Sequence, residues 1–151
     1  MQSSTKAVPG KGIVIVSIIV AILFALIILY AGYVINTLPS SYFTNLTKAY
    51  SSFPAINLTG TGLKGFLSNV LYGYGIVFLI LGLLGIPFVY MPLSHNLPEK
   101  ASGPALAIGI IEIIVGLITI IFIIPGILMI VAWYQIRKFN REMALQSAIH
   151  Q

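Results

Sequence analysis

The sequence has no cysteine, no aspartate and very little charge of either sign. Only 7% of its 151 residues are charged, whereas 58% are hydrophobic. Soluble globular domains carry about 25% charged residues, so this chain has too few polar side chains to cover a compact body in water. The composition therefore excludes a soluble enzyme, a disordered chain and a disulfide-linked secreted protein, and it predicts a membrane protein. Its 26 isoleucines, without any cysteine, are typical of a thermophilic source.

The shortage of acidic and imidazole groups argues against catalysis. The chain has three glutamates and two histidines, and neither histidine, His95 or His150, lies in an apolar run. No paired carboxylates, metal-ligand spacing or nucleophile motif occurs along the sequence. We therefore expect no enzyme activity, no cofactor and no metal site, and the sequence points to no small-molecule substrate.

The basic residues are placed as in membrane proteins. The net charge of +5 comes from eight Lys and Arg residues against three acids. They stand at the ends of apolar segments, which is typical of side chains next to lipid headgroups rather than of a nucleic-acid-binding surface. We expect the lipid bilayer as a partner and no nucleic acid. The predicted lipid-anchoring residues are Lys11, Trp133, Arg137, Lys138 and Arg141.

Three apolar runs are long enough to cross a bilayer as helices, since a hydrocarbon core of about 30 Å needs roughly 20 apolar residues. The sequence therefore predicts an all-α, multi-pass transmembrane protein. Its parts are a short basic tail at 1–12, a transmembrane domain at 13–134 and a basic amphipathic tail at 135–151. The predicted spans are 13–33, 71–90 and 113–134.

The last apolar run, 104–134, exceeds the length that one bilayer needs. A single span over 113–134 would have Pro125 near its middle and a kink there. The alternative is a fourth span made by a turn at Pro125-Gly126, which would place Arg137 at mid-membrane depth. A charge at that depth costs about 3 kcal/mol or more, so the sequence favours the single span.

The two topologies differ in which side of the membrane each loop occupies. With three spans, the first loop and the C-terminal tail share a side that holds five of the eight basic residues, which favours the inside. Two glycosylation sequons in the first loop, at Asn45 and Asn57, favour the outside. Four spans satisfy both signals, with both termini inside.

The polar first loop, 36–69, is predicted to hold a short helix bounded by Pro39 and Pro54. Four apolar side chains recur there at spacings of three and four, on one helical face: Phe43, Leu46, Tyr50 and Phe53. This face lies either on the headgroup boundary, as in an interfacial helix, or on the protein's own helix ends.

Glu112 is the one acidic or basic residue inside the long apolar run 104–134. If the third helix begins at Pro104, Glu112 lies about 12 Å inside and is a candidate proton carrier or counter-charge for a partner. If the span begins at Ile113, the carboxylate lies at the interface and needs no partner. The interfacial location is the simpler explanation because it requires no partner for the carboxylate, and the sequence leaves both locations open.

Small residues recur on one face of each predicted span, which indicates close helix packing. Such faces are used either inside one bundle or for association with further chains. The predicted packing residues are Ser17, Ala21, Ala25, Gly32, Gly75, Gly82, Gly109 and Gly116.

These features favour a non-enzymatic membrane protein with a structural or accessory role, which packs into a homo-oligomer or a larger membrane complex. One alternative is an oligomeric channel, transporter or membrane-permeabilising protein that uses Glu112. A further alternative is a membrane component of a virus particle or filament.

Overall fold

The computed structural model describes residues 8–49, 59–117 and 123–149, and every regular element in these ranges is helical. The predicted all-α fold is therefore confirmed for the described residues. The elements in chain order are α1 (Lys11–Thr37), α2 (Ser40–Ala49), α3 (Gly60–Gly85), a π-helical turn (Ile86–Tyr90), α4 (Met91–Ser94), α5 (Pro98–Gly116) and α6 (Ile124–Ile149).

Two helical stretches are long and apolar enough to cross a membrane. One is α1, and the other runs from α3 through the π-helical turn to the end of α4. Both exceed the predicted spans at 13–33 and 71–90. The second begins early because the Thr59 hydroxyl accepts a hydrogen bond from the Gly62 N–H at 3.1 Å, which caps the helix. Residues 60–69, predicted as loop, are therefore helical.

Prolines shape the ends of these helices. The residue before a proline disfavours the helical conformation, so α1 ends just before Leu38 and Pro39. Pro87 has no N–H to donate, and the helix widens into a π-helical turn around it. α5 begins at Pro98, whose fixed φ suits the first position of a helix.

The chain divides into two compact units. The first unit comprises Met1–Leu23 and Ile80–Gln151, and the second comprises Phe24–Leu79. Each of the two long helices contributes one part to each unit.

In the second unit, α1 and α3 pack closely through glycines. A Cβ atom built on Gly75 would lie 2.7 Å from Leu29 Cγ and 3.2 Å from the Ala25 carbonyl oxygen. A Cβ atom built on Gly32 would lie 3.2 Å from the Tyr72 ring. Ala25 lies against Gly75, whereas Gly32, later in α1, lies against Tyr72, earlier in α3. These two stretches therefore run antiparallel.

The predicted short helix in the first loop is present as α2. Phe43 is buried, so this part of the apolar face packs on the protein itself, whereas Leu46 is exposed. Tyr50 and Phe53, the other two members of the face, lie outside the described residues.

In the first unit, α5 and α6 form an antiparallel hairpin. A Cβ atom built on Gly126 would lie 2.7 Å from the Gly109 carbonyl oxygen and 2.8 Å from the Ile113 backbone nitrogen. In one continuous helix, Gly109 and Gly126 would be about 25 Å apart. The chain therefore folds back on itself, and the continuous helix expected over 113–134 does not form.

The place of the reversal also differs from the alternative turn at Pro125-Gly126. Both of these residues are buried in the first turn of α6, so they belong to a helix and not to a turn between two helices. Pro125 belongs at the start of a helix because its missing N–H would leave a mid-helix carbonyl without a donor.

The N-terminal part of α1 packs against this hairpin. Gly10 has a φ of +90°, and a Cβ atom there would lie 3.1 Å from the Ala132 carbonyl oxygen. The hydrophobic core of the unit consists of Val8, Val14, Ile18, Val89, Leu93, Ala101, Ala105, Ile108, Met129, Ala132 and Ile136.

The hairpin contact gives a direct stability prediction. Gly126→Ala places a methyl group against the backbone of α5, so we expect it to destabilise the protein by about 1–3 kcal/mol, measured as the free energy of unfolding in detergent. Gly103→Ala in α5 is the control, because a Cβ atom there meets nothing within 4 Å. Equal stability of the two variants would contradict the close approach of α5 and α6.

Candidate functional site

Glu112 lies on the inward face of α5. Buried residues follow one another on this helix at spacings of three and four: Ala101, Ala105, Ile108, Gly109, Glu112 and Gly116. This spacing keeps them on one side of an α-helix, so Glu112 points the same way as the core residues before it. Its side chain is 0% exposed.

The carboxylate has no partner in the described part of the chain. Neither Oε1 nor Oε2 of Glu112 forms a hydrogen bond with any described residue. Burying a carboxyl group without hydrogen bonds costs free energy, and burying it as an unpaired charge costs far more. Glu112 is therefore buried within the protein, whereas the two positions left open by the sequence concern its depth in a bilayer. A buried polar group without a partner marks a candidate functional residue.

The layer of the hairpin that holds Glu112 also contains a buried hydrogen bond. Glu112 lies between Gly109 and Ile113, both of which contact Gly126. The hydroxyl of Ser17 donates a hydrogen bond of 2.8 Å to the carbonyl oxygen of Pro125, one residue before this contact. α1 is therefore fixed to the start of α6 in the same layer.

Ser17 has a role that the sequence did not reveal. Its spacing from Ala21 and Ala25 marked it as a small packing residue, and it is indeed fully buried. The hydrogen bond to Pro125 is a contact across 108 positions of sequence. The sequence signal for this role is a hydroxyl group in an otherwise aliphatic run, because a buried hydroxyl group needs a hydrogen-bond partner.

All the predicted packing residues are buried in the structure. Between α1 and α3, Gly82 lies against Ile22 and Ala21, and Gly75 lies against Ala25. The small faces are thus occupied by contacts within the chain. The eight residues are Ser17, Ala21, Ala25, Gly32, Gly75, Gly82, Gly109 and Gly116.

Basic and aromatic residues gather at one end of the first unit, here called the basal end. The Lys11 Nζ atom lies 5.5 Å from the centre of the Tyr90 ring, and the Arg137 guanidinium lies 5.2 Å from that of Trp133. Gly10 contacts Ala132, which joins the two pairs. Lys11, Trp133 and Arg137 are three of the five predicted lipid anchors, and the other two, Lys138 and Arg141, are exposed on α6.

A cavity of about 770 Å³ opens at the basal end. It lies between the start of α5 and the part of α6 that extends past Arg137. Its lining combines apolar side chains with amides and one residue of each charge, namely Val8, Asn96, Leu97, Pro98, Glu99, Lys100, Phe139, Asn140, Met143, Ala144 and Ser147.

No metal-binding cluster of His, Asp, Glu or Cys occurs within 8–49, 59–117 and 123–149. His95 is exposed, and its Nδ1 lies 2.8 Å from the Met91 carbonyl oxygen, so its ring is bound to the preceding helical turn. His150 lies outside the described residues. The absence of a cofactor stays an expectation from the sequence.

The chain matches no protein-family profile, no curated protein and no solved structure. What it does is therefore inferred from its own residues, which are a buried carboxylate, a basic and aromatic basal end, and an open cavity beside that end.

Because the Glu112 carboxylate has no partner among the described residues, replacing it should change the stability of the protein. Glu112→Met removes a buried group without hydrogen bonds and keeps a similar volume, so we expect the protein to become more stable by about 1–3 kcal/mol. Glu99→Met, at an exposed position of the same helix, is the control and should change little. The measurement is the free energy of unfolding in detergent. A loss of stability in Glu112→Met would mean that the carboxylate has a stabilising partner.

Proposed function

We propose that this chain is an integral membrane protein with a non-enzymatic, structural or accessory role. The observation that carries the proposal is the aliphatic outer surface of the two long helical stretches. Leu23, Ile27 and Ile80 are 52%, 59% and 50% exposed. In each stretch only 33% of the most apolar window is buried, whereas a core helix of a soluble protein is mostly buried. An apolar surface of this extent is suited to lipid.

The hairpin favours a topology that differs from both three and four full spans. From Ile124 to Trp133, α6 has ten residues, which rise about 15 Å, or half of a hydrocarbon core. We infer that α1 and α3 cross the bilayer, and that the α5–α6 hairpin enters from the basal side and returns to it. Arg137 then stays at the headgroups instead of at mid-membrane depth.

This topology brings the charge bias and the sequons into agreement. The N-terminal tail, the first turn of α5 and the C-terminal tail share the basal side and hold six of the eight basic residues, whereas Lys48 and Lys64 belong to the other side. This excess of basic residues indicates that the basal side of the protein faces the inside of the cell. The first loop, with the exposed Asn45, is then outside, where a sequon can be glycosylated.

An accessory role requires a surface for other chains, and the eight small packing residues do not supply it because they are buried. Residues 141–148 of α6 are exposed on all sides, so this end of the helix is available to a second copy or to a larger complex. Leu145 is a large apolar residue in this stretch and is 65% exposed.

A second candidate function is an oligomeric channel or transporter. The observation that favours it is the buried, unpartnered Glu112. An ionisable group inside a membrane domain is commonly part of an ion or proton pathway.

Cysteine labelling tests the topology, since the chain has no cysteine of its own. We expect Lys100→Cys and Ala148→Cys to react with a membrane-impermeant reagent from the same side of sealed vesicles. Asn45→Cys should react from the opposite side. A single span over 113–134 would place positions 100 and 148 on opposite sides, and this result would overturn the proposed hairpin topology.

Association tests the accessory role. We expect the protein to form dimers or larger assemblies in native mass spectrometry from lipid nanodiscs, and Leu145→Glu to weaken them because it replaces an exposed apolar side chain with a charge. Gln146→Glu adds the same charge at a neighbouring exposed, polar position and is the matched control. A monomer without any partner in its native membrane would contradict the role.

A further inference from the structure

Glu112 and the basal cavity lie in the same unit. Three of the four inward-facing residues of α5 between them are small, namely Ala101, Ala105 and Gly109, and the fourth is Ile108. The cavity is lined by Pro98, Glu99 and Lys100 at the start of α5. The next inward-facing positions of α5 are Ala101 and Ala105, and Ala132 faces the same core from α6. These three alanines, the alanine layer, are all 0% exposed.

The distance from the cavity to Glu112 along α5 is about half the thickness of a hydrocarbon core. Ala101 and Glu112 are eleven residues apart on one helix, or about 16 Å along its axis. A methyl side chain is the smallest obstacle that a non-glycine residue can present. A file of water molecules that opens transiently past Ala101, Ala105 and Gly109 therefore meets less bulk than along a face of Leu or Ile, with Ile108 as the one large inward-facing residue of α5 beside it.

The charged groups around Glu112 lie on one side of it. α6, the π-helical turn and α4 pack against α5, and α1 packs against α6. Every other titratable side chain among the described residues of the first unit lies toward the basal end: Lys11, Tyr90, His95, Glu99, Lys100, Tyr134, Arg137, Lys138, Arg141 and Glu142. Among the described residues of this unit, the groups that can exchange a proton with water are thus at the basal end and not on the far side of Glu112.

We propose that Glu112 is a proton-binding site that exchanges its proton with water in the basal cavity through the alanine layer. Water delivers the proton to a carboxylate oxygen of Glu112 and later takes it back, and no other bond changes. The direction of access rests on the proposed topology, in which the basal cavity faces water on the side of the termini. The binding of the proton does not depend on that topology.

Infrared spectroscopy of the full chain in lipid tests the binding. We expect the C=O stretching band of a protonated carboxyl group to appear as the pH is lowered across the range where the protein is folded. The band should be lost in Glu112→Gln and kept in Glu99→Gln. No such band in the parent chain at any pH, or a band that survives in Glu112→Gln, would overturn the proposal.

Filling the alanine layer tests the path. In Ala105→Leu, added bulk between the cavity and Glu112 should slow the hydrogen–deuterium exchange of the carboxyl band by roughly tenfold. Ala107→Leu adds the same bulk two residues away at an exposed position and should leave the rate unchanged. Equal hydrogen–deuterium exchange rates in Ala105→Leu and Ala107→Leu would overturn the proposed path. If Ala105→Leu does not fold, Ala132→Val makes the same comparison from α6.

Sidedness separates this inference from the proposed topology. In vesicles of one orientation, a pH jump on the basal side should change the Glu112 band promptly, and a jump on the opposite side should change it only as the vesicle equilibrates. A prompt response to the opposite side alone would overturn the basal path. The labelling of Lys100→Cys and Ala148→Cys decides the topology independently of any carboxyl band.

Discussion

The backbone contact between Gly109 and Gly126 is the constraint on which the rest of the first unit depends. A Cβ atom at either position would lie within 3.1 Å of the carbonyl oxygen of the other. Only glycine allows two helices to approach so closely, and in doing so it turns the last apolar run into a hairpin. The hairpin sets which end of α6 meets α1, where the cavity opens and which residues surround Glu112.

The hairpin also explains the arrangement of charge. A single span over 113–134 separates the basic C-terminal tail from the basic N-terminal tail, and the positive charges then give no clear orientation. Folding the run back brings Lys11 and Arg137 to the same end, where each lies over an aromatic ring. Cationic and aromatic side chains grouped in this way suit the headgroup layer of a membrane. One steric contact inside the unit thus determines the distribution of charge on its surface.

Local features of the sequence predicted the helices and the small residues that pack between them, because an apolar run and a spacing of four residues are properties of the local chain. The reversal between α5 and α6 was predicted only as the less favoured alternative, and at Pro125-Gly126, for the opposite reason. Residues 104–134 are apolar on every side, so their periodicity does not distinguish one long helix from two short ones. The deciding contacts, Gly109 with Gly126 and Ser17 with Pro125, join positions that are distant in sequence. The sequence singled out Glu112, but its burial follows from these same long-range contacts.

The position of Glu112 is hard to explain by packing alone. A residue that only fills the inward face of α5 would be served by Leu or Met, because an apolar side chain has no desolvation cost and needs no hydrogen bond. Gly109 and Gly116 lie on the same face one turn to either side, so bulk beside the carboxylate is low where the hairpin is tightest. Local departures from the rules of packing are expected at functional sites, with the cost offset by contacts elsewhere in the fold. The buried glycines and alanines of the first unit supply those contacts, which offset the cost of burying a carboxyl group that has no hydrogen bond to any described residue.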